Sequence, residues 1–491
     1  MKIDHIKRFS LYINHVVRRG DLMDMLMFQL ERNSSKPMYE QLYEGIKKGI
    51  TEGTIPTESK LPSKRKLAEF LNISQTTIEL AYAQLLAEGF IASKPRVGYF
   101  VEAVEELAYV EKNIQYPVIP TSLSRETFNI DFNPGQIDTE SFPFHLWRKY
   151  AKEAIDEQSQ ELLLIGSPQG EQELREEIAK YLYQSRGVIC APNQIVIGSG
   201  TEQLMPMIIR LLGASSRFGI ENPGYPLTHH IFKQTDRPAI PINVDDEGLL
   251  VSDLEHSKAN IVYVTPSHQF PTGAVLSAPR RAQLLNWASQ KDDRYIVEDD
   301  YDSEFRYIGK PIAALQGMDK SDSVIYISTF SKSLMPSLRI AYFVLPPKLV
   351  EVYNQAFIYY TSTVPRFEQH ILAQFMRDGH FAKHLNRMRK IYRKKLEKLT
   401  MALEPFSPTV KISGEQAGMH IVLTISHTKN ATELKNLAKE KGIRIIPIQE
   451  YMMDPILNGK PIQFLLGFGG IKDEEISQSV QQLMEAWGIR A

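Results

Sequence analysis

Thr329-Phe330-Ser331-Lys332-Ser333-Leu334 directly follows the apolar run Val324-Ile325-Tyr326-Ile327, and Arg339 stands a short way beyond it. A short apolar run bounded by turn residues reads as a buried strand, and polar residues just past its carboxyl end lie where α/β sheets gather ligands. A lysine there can hold an aldehyde cofactor as an imine while Thr329, Ser331 and Arg339 neutralise a phosphate. Desolvation and cationic neighbours lower its amine pKa and favour that chemistry. Taken by itself, the same lysine reads as a surface residue in a polar loop, so the rest of the chain has to decide.

Upstream, further apolar runs recur: Ile195 to Ile197, Phe218 to Ile220, Ile261 to Val264 and Tyr295 to Val297, with helical stretches such as Arg280 to Ser289 between them. Strands alternating with helices predict an α/β domain around a largely parallel, buried sheet. Three of the runs end in chemistry. Gly198-Ser199-Gly200-Thr201-Glu202 lets a backbone approach a phosphate at a helix N-terminus. Asn222-Pro223-Gly224-Tyr225 ends in an aromatic able to stack on a flat cofactor. Glu298-Asp299-Asp300-Tyr301 puts acids at a strand end, where burial is costly without a partner such as a pyridinium nitrogen. A metal is the rival partner, disfavoured because no histidine lies in that cluster, although folding could bring His268 near. Glycine turn, aromatic, acid and Lys332 follow one another in the order a pyridoxal phosphate protein requires.

Composition sets the frame. At 491 residues the chain exceeds the ~250–300 that one hydrophobic core usually serves, so two or more domains are expected. The 43% hydrophobic and 23% charged residues are ordinary for a globular protein, and 57 Lys+Arg against 58 Asp+Glu leave no global basic signal. A single cysteine, Cys190, rules out an internal disulfide and points to a reducing compartment. No apolar run reaches the ~20 residues of a membrane span and no signal peptide is visible, so the sequence reads as cytoplasmic.

Basic residues cluster near the amino end instead. Tyr39, Leu42, Tyr43, Ile46 and Ile50 recur at helical spacing, Ser63 is the expected N-cap of a second helix through Leu71, and Gln75 to Glu88 forms a third. Phe90 to Ser93 and Gly98 to Val101 flank a turn as a two-stranded wing. Lys64, Arg65 and Lys66 crowd the first turn of the second helix, where the macrodipole favours anions, so an external phosphate is the expected partner. Gln75, Thr76 and Thr77 are short polar residues at the start of the third helix, suited to base edges, and Lys94 and Arg96 on the wing suit phosphate or the minor groove. Residues 1 to 30 carry basic pairs and then Met23, Met25 and Met27. They read either as an extension ahead of a true start at Met25 or Met27, or as a basic arm on DNA. Residues 102 to 128, acidic and then Pro- and Ser/Thr-rich, read as a linker.

The segment 31 to 101 resembles the winged helix-turn-helix of the GntR family, whose L-P-S-x-R-x-L-A and V-S-R-x-T-V-x-x-A-Y-x-x-L patterns align with Leu61 to Ala68 and Ile73 to Leu85. Gln75 stands where that family has an arginine, which puts the usual guanine contact in doubt. Residues 129 to 491 resemble a fold-type I, class I aminotransferase on the runs Thr265 to Gly273, Glu298 to Phe305 and Thr329 to Leu334. The whole chain therefore resembles the MocR subfamily: an N-terminal winged helix-turn-helix, mostly α with a β wing, joined to an α/β, fold-type I, PLP-dependent aminotransferase-like domain. The resemblance implies that Lys332 carries pyridoxal 5'-phosphate as a Schiff base and that Asp299 pairs with the pyridine nitrogen. Tyr301 would bond the phenolic oxygen and Tyr225 stack on the ring, with Gly200, Thr201, Thr329, Ser331 and Arg339 on the phosphate. It further implies a homodimer in which the head of one subunit packs on the body of the other, in a head-to-tail, domain-swapped arrangement.

Two departures matter. Phe270-Pro271-Thr272-Gly273 lacks the asparagine that aminotransferases use on the phenolic oxygen, leaving His268 or Gln269 as replacements. Gly467-Phe468-Gly469-Gly470 and Leu227 lack the two arginines with which GABA-responsive members hold a carboxylate, so GABA is not expected as the effector. The expected function is a DNA-binding transcription regulator. It would answer to an amino acid, an amine or the cofactor itself, and bind a double-stranded operator. The alternative is a working aminotransferase with an accessory DNA-binding head.

Overall fold

The computed structural model describes residues 30–32, 34–104, 127–156, 160–235, 237, 239–307, 309, 312–453 and 461–491. Nearly all of the 1 to 30 extension and most of the 102 to 128 linker lie outside the described residues. Contacts divide the chain into two units, Met1–Ser124 and Arg125–Ala491.

In the first unit, α1 (Met38–Thr51), α2 (Lys64–Leu71) and α3 (Gln75–Ala87) precede a hairpin of β1 (Ile91–Lys94) and β2 (Gly98–Val101). Leu42 and Ile46 of α1 bury against Ile78, Ala81, Tyr82 and Leu85 of α3, and Ile91 and Val101 close the core from the wing. Each such aliphatic side chain contributes roughly 1.5–3 kcal/mol on full burial. Tyr82 buries its ring and donates its hydroxyl to the Pro62 carbonyl at 3.0 Å, tying α3 to the turn before α2. The turn between α2 and α3 runs through Asn72 in the left-handed region, φ 52°, a conformation asparagine tolerates better than most residues. The antiparallel hairpin registers Ile91 on Val101 and Lys94 on Gly98.

The second unit starts with β3 (Ile130–Asp131) and is dominated by an eight-stranded sheet. Its strands are β4 (Ile195–Gly198), β5 (Phe218–Asn222), β6 (Ile240–Asp245), β7 (Gly248–Leu249), β8 (Ile261–Val264), β9 (Tyr295–Asp300), β10 (Val324–Thr329) and β11 (Ala341–Val344), in the spatial order β4-β11-β10-β9-β8-β5-β6-β7. From β10 to β6 the pairs are parallel, whereas β11 runs antiparallel to both of its neighbours. Burial on both faces explains the uninterrupted apolar runs, for β4, β8 and β11 are buried at every position. Two strands are longer than the apolar runs suggest: β9 continues through Asp300 and β10 through Thr329. The acids therefore lie within the sheet, where the alternating pleat sends Asp299 to one face and Glu298 and Asp300 to the other.

A smaller antiparallel sheet, β12 (Val410–Ser413), β13 (His420–Ile425), β15 (Ile446–Pro447) and β16 (Ile462–Gly467), follows, with β14 (Ile443–Arg444) pairing back to β3. The sequence reading did not anticipate this sheet. It brings His420 and Met419 to the carboxyl ends of the large sheet, where both line the cavity beside Lys332.

Candidate functional site

The carboxyl ends of β4, β9 and β10 open onto a cavity of about 500 Å³. Gly200, Thr201, Tyr225, Asp299, Tyr301, Thr329, Ser331, Lys332 and Arg339 all line it. Residues more than a hundred positions apart in sequence thus meet because parallel strands align their ends. His268 does not line this cavity.

Lys332 follows β10, half-buried, with its Nζ donating to the Pro134 carbonyl at 2.5 Å. Burial pulls the ammonium down to about 8, against the opposing charge of Asp302. An amine near neutrality in its uncharged form is a competent nucleophile toward an aldehyde. Beside it Thr329 donates its hydroxyl to Ser331 Oγ at 2.9 Å and accepts from the Ser331 amide at 3.1 Å, so both hydroxyls are fixed at one end of the cavity. Gly200 caps the helix Thr201–Leu211 at φ 136°, a conformation open to glycine, and a Cβ there would meet the Arg339 guanidinium. Arg339 holds φ 52° and is paired with Glu202. A non-glycine residue kept in the left-handed region beside a helix N-terminus is strain of about 1 kcal/mol or more spent on aiming a side chain.

Three neighbouring acids on β9 differ in what surrounds them. Glu298 accepts the amides of Leu315 and Gln316, at 2.9 and 3.0 Å, capping the helix that starts there. Asp300 is paired with Arg186 at 2.7 Å and accepts from Tyr326 at 2.6 Å. Asp299, only 6% exposed, accepts from the Tyr263 hydroxyl and has no cation partner among the described residues, and burial raises its carboxyl to about 7. Of the three, it alone faces the cavity with capacity for a charged N–H donor. Tyr225 presents its ring at the cavity mouth, edge-on to Phe270 at 5.4 Å.

Asp302 and His420, which the sequence did not single out, join His268 in a layer beside the cavity. Asp302 accepts from or pairs with His268 Nδ1 at 2.9 Å, the His268 and His420 rings lie 4.4 Å apart and tilted by 33°, and Tyr301 donates to the His268 carbonyl at 3.0 Å. His268 is therefore a support behind Tyr301. Gln269 is occupied with Pro223, Phe270 and Thr272. Folding does bring His268 near, and His268, Asp302 and His420 offer ligand atoms within 4.8 Å of one another, but Glu298, Asp299 and Asp300 take no part in that group. Burial and the His268 and Lys332 charges hold His420 well below its ordinary range, so its ring stays neutral.

Gly470 is absent from the cavity lining, and a Cβ there would lie 2.6 Å from Gln136 Cβ, so a larger residue would require Gln136 to shift. Leu227 does line the cavity, where Lys332 and Arg339 are the Lys and Arg residues among the described lining.

In the first unit Ser63, Arg65, Lys66, Gln75, Thr76, Lys94 and Arg96 are exposed, and Lys64 and Thr77 half-buried. Ser63 caps α2, accepting from the Lys66 amide at 3.3 Å, and Ser74 caps α3 through Thr77 at 3.2 Å. Among the crowded cations, Arg65 pairs with Glu69 at 2.9 Å and Lys64 with Glu79 at 3.5 Å. Glu69 is one helical turn from Arg65 and Glu79 is brought across by α3, which removes the need for an external phosphate to stabilise the bare fold. Both pairs are solvent-facing and worth ~0–1 kcal/mol, little enough for a phosphate to displace. Lys94 lies over the Phe100 ring at 4.5 Å, and Arg96 turns the wing tip at φ 63°.

Comparison with known proteins follows the same division. Residues 38–101 match the family described as bacterial regulatory proteins, gntR family, and residues 129–460 match aminotransferase class I and II. The HTH-type transcriptional regulator YdeL of Bacillus subtilis is 41% identical over 95% of this chain and 100% of its own length. The probable rhizopine catabolism regulatory protein MocR of Rhizobium meliloti is 31% identical over 94% of this chain and 96% of its own. Among solved structures, a Pyrococcus horikoshii kynurenine aminotransferase in complex with PMP superposes with a TM-score of 0.64 at 27% identity, covering 74% of this chain and 91% of that one. Among the described residues, no helix is long and apolar enough to cross a membrane.

Proposed function

Since the chain belongs to the MocR-like regulators, a gntR-family head joined to a class I and II aminotransferase domain, we propose that it is a transcription regulator that carries pyridoxal 5'-phosphate on Lys332 and reads operator DNA with α2, α3 and the wing. The observation that carries the cofactor assignment is Asp299: a buried carboxyl turned to the cavity, hydrogen-bonded to Tyr263 and with no cation partner among the described residues, lining the same cavity as a lysine whose amine is lowered to about 8. A pyridinium N–H supplies that missing charge. The other residues fit the same group. Thr201 at its helix N-terminus, Thr329, Ser331 and Arg339 would hold the phosphate, Tyr225 would cover the ring, and Tyr301 would bond the phenolic oxygen. When bound, the cofactor supplies an electrophilic carbon and an electron sink.

Purified protein incubated with pyridoxal 5'-phosphate should turn yellow, and borohydride should leave one stable adduct on Lys332. A colourless protein without adduct would sink the assignment. The effector is an amine or amino acid whose carboxylate does not depend on a guanidinium at position 227, where Leu227 offers only apolar contact. GABA should therefore bind weakly, a point calorimetry checks. The completeness of the cavity favours a second reading, an active aminotransferase. Rapid-mixing spectra with an amino-acid panel and a keto-acid acceptor separate the two, repeated turnover marking the enzyme and a single arrested spectral change the sensor.

We also infer a homodimer working in the bacterial cytoplasm on double-stranded DNA. Leu163, Leu164 and Ile165 are mostly exposed and Tyr359 is 94% exposed, while Arg366 ties the first segment down through the Leu164 carbonyl at 3.1 Å. An apolar surface so held suits a second copy of the chain. Sedimentation of the full chain tests it, a monomer at micromolar concentration being the contrary outcome.

A further inference from the structure

Beyond Tyr301 and Asp302 the chain turns away from the Lys332 cavity into another. This second cavity measures about 290 Å³, and Arg186, Ser303, Glu304, Arg306, Arg389 and Arg393 are among the residues lining it. Its size is at the lower end of small-molecule sites.

The charges around it do not balance. Arg186 is already committed, to Asp300 at 2.7 Å, Ser267 and the Ile312 carbonyl. Arg306, Arg389 and Arg393 have no carboxylate within salt-bridge distance among the described residues. Arg389 donates to the Glu304 carbonyl at 2.9 Å and to Asn386 at 2.8 Å, and Arg393 to the Tyr307 carbonyl at 3.2 Å, both leaving other guanidinium donors unused. Arg306 Nε is buried with no acceptor at all. Among the described residues the one acid in the lining is Glu304, whose carboxyl burial raises to about 7. Tyr181 donates to its Oε1 at 3.0 Å, while Oε2 is buried without a partner.

A buried donor left unsatisfied costs about 1–3 kcal/mol, more when it is charged. That cost falls on Arg306 Nε, and with Arg389 and Arg393 converging on the same cavity an anion is the complement that would relieve it. Two features select its class. Three forks call for more than one negative charge and more than two acceptor oxygens, which a single carboxylate lacks. A carboxyl carrying its proton offers one further donor, useful to an oxygen-rich ligand and to no cation.

We propose that this second cavity binds a small phosphate-bearing molecule, with the phosphate gripped by Arg306, Arg389 and Arg393. The site is independent of the assignment of Lys332, since it shares no lining residue with the first cavity. Inorganic phosphate is the probe, titrated calorimetrically into the full chain carrying Arg339→Gln, which removes the phosphate-holding guanidinium of the first cavity. One phosphate per chain should bind, and Arg393→Gln or Arg389→Gln added to that background should weaken it at least tenfold. Arg306→Gln should do the same; because that side chain is partly buried, its melting curve is compared first, and the other two variants decide if it unfolds. Succinate supplies the carboxylate arm. Absence of saturable phosphate binding, affinity unchanged by both Arg389→Gln and Arg393→Gln, or binding of succinate in preference to phosphate would each overturn the proposal.

Discussion

The winged helix-turn-helix and the Lys332 cavity manage charge in opposite ways. In the first, Lys64, Arg65, Lys94 and Arg96 sit in or near solvent, and their partners, Glu79, Glu69 and the Phe100 ring, are close but loosely held. Around the second, Asp299, Asp300, Asp302 and His268 are buried and each interaction is made in a medium that screens little. The difference teaches where specificity can be stored. An exposed cation exchanges one anion for another at small cost, which suits a surface that must find, leave and find DNA again. A buried acid without a cation is a standing demand for one kind of ligand.

Asp300 and Asp299 sharpen the contrast, because they are adjacent and equally enclosed yet only Asp300 is paired. Arg186→Met should have the largest effect on the fold. It strands Asp300 in the interior, and removing one partner of a buried pair costs ~3–5 kcal/mol. Thermal or urea unfolding of the cofactor-free chain measures this directly, and a loss below about 1 kcal/mol would show that Asp300 is not paying for its burial through Arg186. By the same logic Asp299→Asn should leave the cofactor-free fold intact or firmer, while weakening pyridoxal phosphate by a charge-assisted hydrogen bond, ~1.5–3 kcal/mol or roughly tenfold to a hundredfold in affinity. Equilibrium titration at 420 nm reads it, the wavelength being that of the expected yellow form.

The pH dependence of stability offers a third, smaller test. With its carboxyl raised from 3.8 to about 7 by burial, Asp299 holds a proton in the folded chain that the unfolded chain has already released. Between those values the folded state binds more protons, so stability falls as pH rises, by about 1.4 kcal/mol per pH unit for one group. Below 3.8 both states are protonated and above 7 both are ionised, so the slope vanishes at each end. Glu221, Glu298 and Glu304, also raised to about 7, add slopes of the same sign. Asp299→Asn should remove one group's share, and saturating cofactor should remove the same share by favouring the carboxylate. An unchanged slope in both would mean that Asp299 is ionised without help.

Much of this contrast was legible in the sequence, and what was not has physical reasons. Strand runs such as Ile261 to Val264 stood out because both faces of a parallel sheet are buried. Lys332 and Asp299 could be placed because polar residues at the ends of such runs share one edge. Tyr263 was hidden inside its apolar run, where it counts as a hydrophobe; only the adjacency of β8 and β9 turns its hydroxyl toward Asp299. His420 was invisible because it arrives on β13, a strand of the smaller sheet that no motif announced. In the head, the Arg65–Glu69 spacing is written along one helix, whereas Glu79 reaches Lys64 only after the turn at Asn72 folds α3 back.

Arg65 provides the smallest and most discriminating comparison. Its bond to Glu69 is made with both side chains largely in water, so Arg65→Ala should alter the unfolding free energy of the head by less than ~1 kcal/mol. If the side chain instead spends its time on DNA phosphate, the same change should lower the slope of log affinity against log salt by about 0.9, the counterion released per phosphate contact. A stability loss without a change in salt slope would make Arg65 a helix-stabilising residue and move the phosphate contact to Lys66 or the wing. A change in slope without a stability loss is what an exposed, exchangeable cation gives, and the same pair of measurements on Lys94→Ala and Arg96→Ala would map how far the contact extends along β1 and the wing tip.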